Sequence, residues 1–156
     1  MATLAELRAD IAATHDELLK LVDRMGPEDF NRSTSNEGWT ARDVMAHLAT
    51  INQRLREQLK TAKSGGQYSV SEDVNVYNER QVAERRGWDV QRVRKEVEDD
   101  HAATMAAIDV LTDADLQKGY QHPTRGWRTI EVSLEGVASH FRTHTGEIAA
   151  ALPARA

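Results

Sequence analysis

Apolar residues recur at steps of three, four or seven along nearly the whole chain, a regularity that limits it to packed α-helices. Leu4, Leu7, Ile11, Leu18, Val22 and Met25 make one stripe that stops at Gly26-Pro27. The segment GWTARDVMAHL opens a second helix, with Thr40 as its N-cap and Asp43 in the first turn, where a carboxylate favours the exposed amides. Its stripe is Val44, Leu48, Ile51, Leu55 and Leu59. Residues 61–73, TAKSGGQYSVSED, break the pattern and predict a mobile loop that serves as a lid. VNVYNERQVAERR predicts a short helix before Gly87. A long stripe then runs through Val90, Val93, Val97, Thr104, Ile108 and Leu111, and a last one from Thr129 to Pro153 through Ile130, Leu134, Val137, Phe141 and Ile148. The expected fold is an all-α four-helix bundle forming one domain over residues 1–156, with one short extra helix.

The two halves resemble each other. Leu19, Val22, Met25, Asp29 and Phe30 follow His15 at the offsets by which Met105, Ile108, Leu111, Asp115 and Leu116 follow His101. Gly38-Trp39 and Gly126-Trp127 each precede a valine by the same spacing, at Val44 and Val132. We therefore expect two pseudo-symmetric helical hairpins, with the tryptophans as apolar plugs at helix starts.

Charge and composition exclude several classes. The chain has 20 Lys and Arg against 25 Asp and Glu, a net charge of −5, with the signs interspersed. Such a mixture predicts no nucleic-acid and no membrane partner. With no cysteine, any thiol chemistry needs an external thiol. The first 20 residues carry charges every few positions, unlike a secretory signal, so a cytoplasmic protein is expected.

Histidines carry the chemistry. His140 and His144 are four residues apart on the last helix, and His47 lies at the edge of the second helix's stripe. All three turn partly inward, and three neutral imidazoles from two helices can hold a metal ion with positions left open. The plainer alternative is three satisfied polar residues at the border of a core. Glu147, three residues after His144, reads as a solvated charge, with support of a ligand or a fourth ligand as the alternative. His15 and His101 fall near the centres of their stripes and read as structural. His101 and Arg80 are the candidates for a catalytic position, Arg80 as partner for a carboxylate at the mouth of the site beside Tyr77 and Asn78. His122 reads as a surface loop residue.

GWTARDVMAHL, followed much later by SHFRTHTGEI, resembles the DinB-like superfamily, and the resemblance extends through NERQVAERRGW and HAATMAAID. It implies a four-helix bundle with a long crossover between hairpins, a divalent metal ion such as zinc or nickel held by His47, His140 and His144, and frequent homodimers. Mycothiol-dependent maleylpyruvate isomerases of that superfamily often carry glutamate where this chain has His140, so the match is to the all-histidine branch. The implied function is a metal-dependent thiol S-transferase or hydrolase acting on a small electrophile, with a low-molecular-weight thiol as possible co-substrate. The alternative is a non-catalytic bundle that sequesters a small molecule, as in self-resistance.

Overall fold

Helix α1 (Leu4–Asp23) starts where its sequence says it should. The Thr3 hydroxyl accepts from the Glu6 amide at 3.2 Å while the Glu6 carboxylate accepts from the Thr3 amide at 2.8 Å, a reciprocal cap. A computed structural model describes residues 1–70 and 72–154. After α1 come α2 (Ala41–Leu48), α3 (Ile51–Ser64), α4 (Val74–Arg85), α5 (Val90–Asp109), strands β1 (Gly119–His122) and β2 (Gly126–Thr129), and α6 (Ile130–Ala151). The four-helix bundle is formed by α1, the α2–α3 pair, α5 and α6, and α4 lies in the crossover. Helix α1 packs on α6, and α2 and α3 pack on α5, so each half lays its first helix against the last helix of the other half. Leu18, Leu48, Ile108, Ile130, Leu134 and Ile148 are fully buried in the resulting core.

Local structure repeats as the sequence does. Asp29 accepts from the Gly26 amide and Asp115 from the Thr112 amide, both at 2.9 Å, each closing the 3-10 turn that follows a long helix. Phe30 and Leu116, the next matched pair, are both buried. His15 and His101 stack face to face across the approximate two-fold, with ring centroids 3.8 Å apart and planes 3° from parallel. Burial holds both imidazoles below their ordinary pKa, His101 at about 4, and two uncharged rings can share that contact without repulsion. This pairing agrees with the structural role expected of them, and it places His101 at the α1–α5 contact, not with the other candidate site residues.

Three features differ from the sequence reading. The second helix is not continuous: the buried Thr50 hydroxyl donates to the carbonyls of Ala46 at 3.2 Å and His47 at 3.1 Å, and the chain breaks between α2 and α3. The segment read as a mobile loop is helical to Ser64. Beyond that, the Tyr68 amide donates to the Gln121 carbonyl at 3.3 Å and the Tyr68 ring is buried; Ser71 lies outside the described residues. Gly126-Trp127 does not open a helix. It starts β2, which pairs antiparallel with β1, and Trp127 is 60% exposed while Trp39 is buried.

The hairpin sits against α6 because the Lys118 carbonyl accepts from the Ile130 amide at 2.9 Å, one of the free donors at the helix start. Trp127 lies across Gly119 so closely that a Cβ there would meet the Arg128 carbonyl oxygen at 2.5 Å and the indole at 2.7 Å. Gly119→Ala is expected to destabilise the fold by about 1–3 kcal/mol, read as a lower denaturant midpoint; an unchanged midpoint would refute the close approach. No helix among the described residues is long and apolar enough to cross a membrane.

Candidate metal centre

The Thr50 break makes His47 the penultimate residue of α2, and α2 packs on α6 where His140 and His144 face it from successive turns. His47 is 2% and His144 7% exposed, while His140 is partly open. Nε2 of His140 lies 2.9 Å from Nε2 of His47 and 2.9 Å from Nε2 of His144. The three ligand atoms all lie within 4.8 Å of one another.

Burial disfavours the charged form at two of these rings, and a carboxylate occupies Nδ1 of the third. Nδ1 of His144 is 2.7 Å from a Glu147 carboxylate oxygen, so the proton resides on Nδ1 and the Nε2 lone pair points at His140. Burial, and then the neighbouring imidazoles, push His47 down to about 3, and burial followed by His144 pushes His140 down to about 4. Ring nitrogens so close together can turn their lone pairs on a shared cation. Nitrogens on one face of an octahedron, each about 2.1 Å from an ion, stand roughly 3.0 Å apart, close to the two spacings that His140 makes. The residues therefore fit a divalent ion with its remaining positions open. The carboxylate of Glu147, read from sequence as a solvated charge, takes the supporting place behind His144 that metal-bound histidines usually have filled. Nδ1 of His47 is buried with no hydrogen-bond partner among the described residues; Trp39, 5.1 Å away between ring centroids, packs beside that ring.

The catalytic candidates fare differently. Arg80 donates through Nε and Nη2 to both oxygens of Glu72, at 3.2 and 2.9 Å, and through Nη1 to Glu84 at 3.2 Å. Its charge is answered within the protein by these two carboxylates. Tyr77 is buried with its hydroxyl 3.3 Å from the Thr50 carbonyl, bracing the helix break below His47. His122 lies at the end of β1 and not in a loop.

The fold and site define a class of small helical bundle in which three convergent imidazoles could hold a metal ion. The chain belongs to the DinB superfamily, whose sequence profile matches residues 10–148. No curated protein matches the chain in sequence. Among solved structures, it is similar to YfiT from Bacillus subtilis, described as a probable metal-dependent hydrolase with an unusual four-helix bundle topology. That match has 20% identity and a TM-score of 0.80, covering 94% of this chain and 84% of that one. A mycothiol-dependent maleylpyruvate isomerase matches at 14% identity and TM-score 0.80 over 95% of this chain, which spans only 63% of the isomerase. The colibactin self-resistance protein ClbS, in complex with a dsDNA, matches at 12% identity and TM-score 0.77, covering 100% of this chain and 99% of ClbS. At these identities the likeness establishes the fold.

One expectation is overturned. The interspersed charges predicted that nucleic acid is excluded as a partner, yet ClbS has this fold and is found on a DNA duplex. Net charge averages over the whole surface, whereas a duplex contacts only the local patch it meets, so a chain of charge −5 is not barred from nucleic acid on that ground.

Proposed function

We propose that the protein is a metal-dependent enzyme, a thiol S-transferase or hydrolase acting on a small electrophile. The observation that carries this reading is the placement of His140 Nε2 at 2.9 Å from Nε2 of both His47 and His144. His47, His140 and His144 would hold one divalent ion, and imidazole donors suit zinc and nickel alike. Such an ion supplies Lewis acidity, which lowers the pKa of a water or thiol and polarises an electrophile. Glu147 fixes the proton of His144 at Nδ1, and α2 and α6 set the three rings before any ligand arrives. The partial exposure of His140 leaves a side from which a substrate can approach. Since the chain has no cysteine, a transferred thiol would be an external low-molecular-weight thiol.

The test is turnover of a panel of small electrophiles by metal-stripped and by zinc- or nickel-reloaded protein, with and without added thiol. Turnover that requires the metal supports an enzyme, and its dependence on thiol separates transfer from hydrolysis. Saturable binding without turnover would favour the second reading, a sequestering bundle, to which the likeness to ClbS lends weight.

A further inference from the structure

His144 and His47 are held by different means. Nδ1 of His144 lies 2.7 Å from the Glu147 carboxylate, which fixes how far that ring is turned. His47 has no such anchor, because its Nδ1 is buried without a hydrogen-bond partner among the described residues. The outer torsion of a histidine side chain has only broad minima, so a ring without a hydrogen bond takes its angle from what packs against it. Three aromatic rings lie against His47 among the described residues. His140 and His144 belong to the same cluster; the third is Trp39, 5.1 Å away between centroids with the planes 46° apart.

Trp39 is fixed at both ends. Its amide donates to the Asn36 carbonyl at 3.0 Å, and its carbonyl accepts from the Thr34 amide at 3.1 Å and the Thr34 hydroxyl at 2.9 Å. At the tip of the side chain, the indole Nε1–H donates to Oε1 of Glu79 at 2.7 Å, a short bond to a charged acceptor that crosses from the start of α2 to α4. Glu79 makes no ion pair among the described residues, whereas Glu72 and Glu84 are both paired with Arg80. With its backbone and its tip both held, the large, rigid indole cannot turn away from His47. The start of α2 is tied to the same region, since Arg42 donates to the Trp88 carbonyl at 2.6 Å and to the Arg86 carbonyl. Because the helix breaks after His47, α3 does not continue α2 as one rod, and these tethers to α4 and to the link between α4 and α5 hold it instead.

We propose that Trp39 is a positioning residue for His47, kept in that role by the hydrogen bond from its Nε1–H to Glu79, so that α4 sets the angle at which one of the three candidate ligands faces α6. That His47 is a ligand rests on the metal reading above. That its ring is set by Trp39 and Glu79 does not.

The histidine ring resonances of isotopically labelled, metal-free protein test the positioning directly. Trp39 is buried in the core, so the variants are made at Glu79, which is exposed on α4. Glu79→Leu removes the acceptor, whereas Glu79→Gln keeps one in its side-chain carbonyl. In Glu79→Leu the His47 ring signals are expected to move and broaden, since the ring current of the indole then acts on them from a changing position, while those of His122 stay in place. Glu79→Gln should keep the parent pattern. In competition with a chromophoric chelator, Glu79→Leu should bind zinc or nickel about tenfold more weakly and Glu79→Gln should bind close to the parent. Glu84→Leu, which removes the same charge from another exposed position of α4, should change neither readout. Unmoved His47 signals in Glu79→Leu would overturn the proposal, and so would moved signals with the parent's metal affinity, because the angle would then not matter to the ion. Equal changes in Glu79→Gln and Glu79→Leu would overturn it as well, by making the carboxylate's charge and not its hydrogen bond the cause. The ring signals are read without metal, so the two readings fail separately. A protein that takes up no metal but shows the His47 change loses the metal centre and keeps the positioning; one that binds metal with the His47 ring unmoved in Glu79→Leu does the reverse.

Discussion

His140→Ala is expected to reduce bound zinc or nickel from about one ion per chain to background, with helical circular dichroism unchanged. His140 is the hub of the cluster, since its Nε2 stands 2.9 Å from that of each of the other two imidazoles. Removing it leaves His47 and His144 as two donors from two helices, too few to hold an ion against water. Its ring is partly open, so alanine leaves no large void in the core. Glu147→Gln should give an intermediate result, an affinity loss of about 10–100-fold, because it weakens only the support behind His144. Metal content by mass spectrometry and competition with a chromophoric chelator read both effects. Full metal occupancy in His140→Ala would refute the three-histidine centre.

Arg56→Ala is expected to destabilise the fold by about 3 kcal/mol at neutral pH, since it strips a buried carboxylate of its partner. Arg56 Nη1 donates to Asp100 Oδ1 at 2.7 Å and to Thr104 Oγ1 at 3.1 Å, tying α3 to α5, and the Asp100 side chain is only 5% exposed. Burial already raises the Asp100 pKa above its ordinary value even though Arg56 lowers it, so without Arg56 it rises further. A carboxyl group whose folded pKa is raised contributes most to stability when protonated, and that contribution fades as pH rises through the folded pKa. The variant should therefore recover part of its loss on acidification toward pH about 4. Replacing Asp100 with Asn in the same chain should restore much of the loss at neutral pH. Denaturant midpoints across pH decide this, and a loss that is small or independent of pH would show that the pair is solvated.

Much of the bundle was legible in the sequence because a long amphipathic stripe repeats its signal over many turns. The caps at Thr3 and Thr40 are local chemistry and could be read as well; Thr40 was. The i,i+4 spacing of His140 and His144 is likewise a property of one helix. The hairpin gave no comparable signal, since strands of four residues show period two for a single alternation, and Gly126-Trp127 imitated the helix start at Gly38-Trp39. The α2–α3 break was hidden because the stripe from Val44 to Leu59 continues through it; the Thr50 hydroxyl and its neighbour Tyr77 decide it.

By itself, the sequence determined most of the helices, their buried faces, the internal repeat and the His140–His144 pair, all of which depend on residues close together in the chain or on recurring spacing; the meeting of His47 with that pair was only an expectation until the fold brought α2 against α6. Only the tertiary structure decided that Arg80 is paired with Glu72, that Arg56 is paired with Asp100, and that His15 meets His101. Those outcomes depend on which side chains are brought within hydrogen-bond or van der Waals reach across helices. Such interactions fall off within a few ångströms, so no pattern along the chain encodes them until packing brings the partners together.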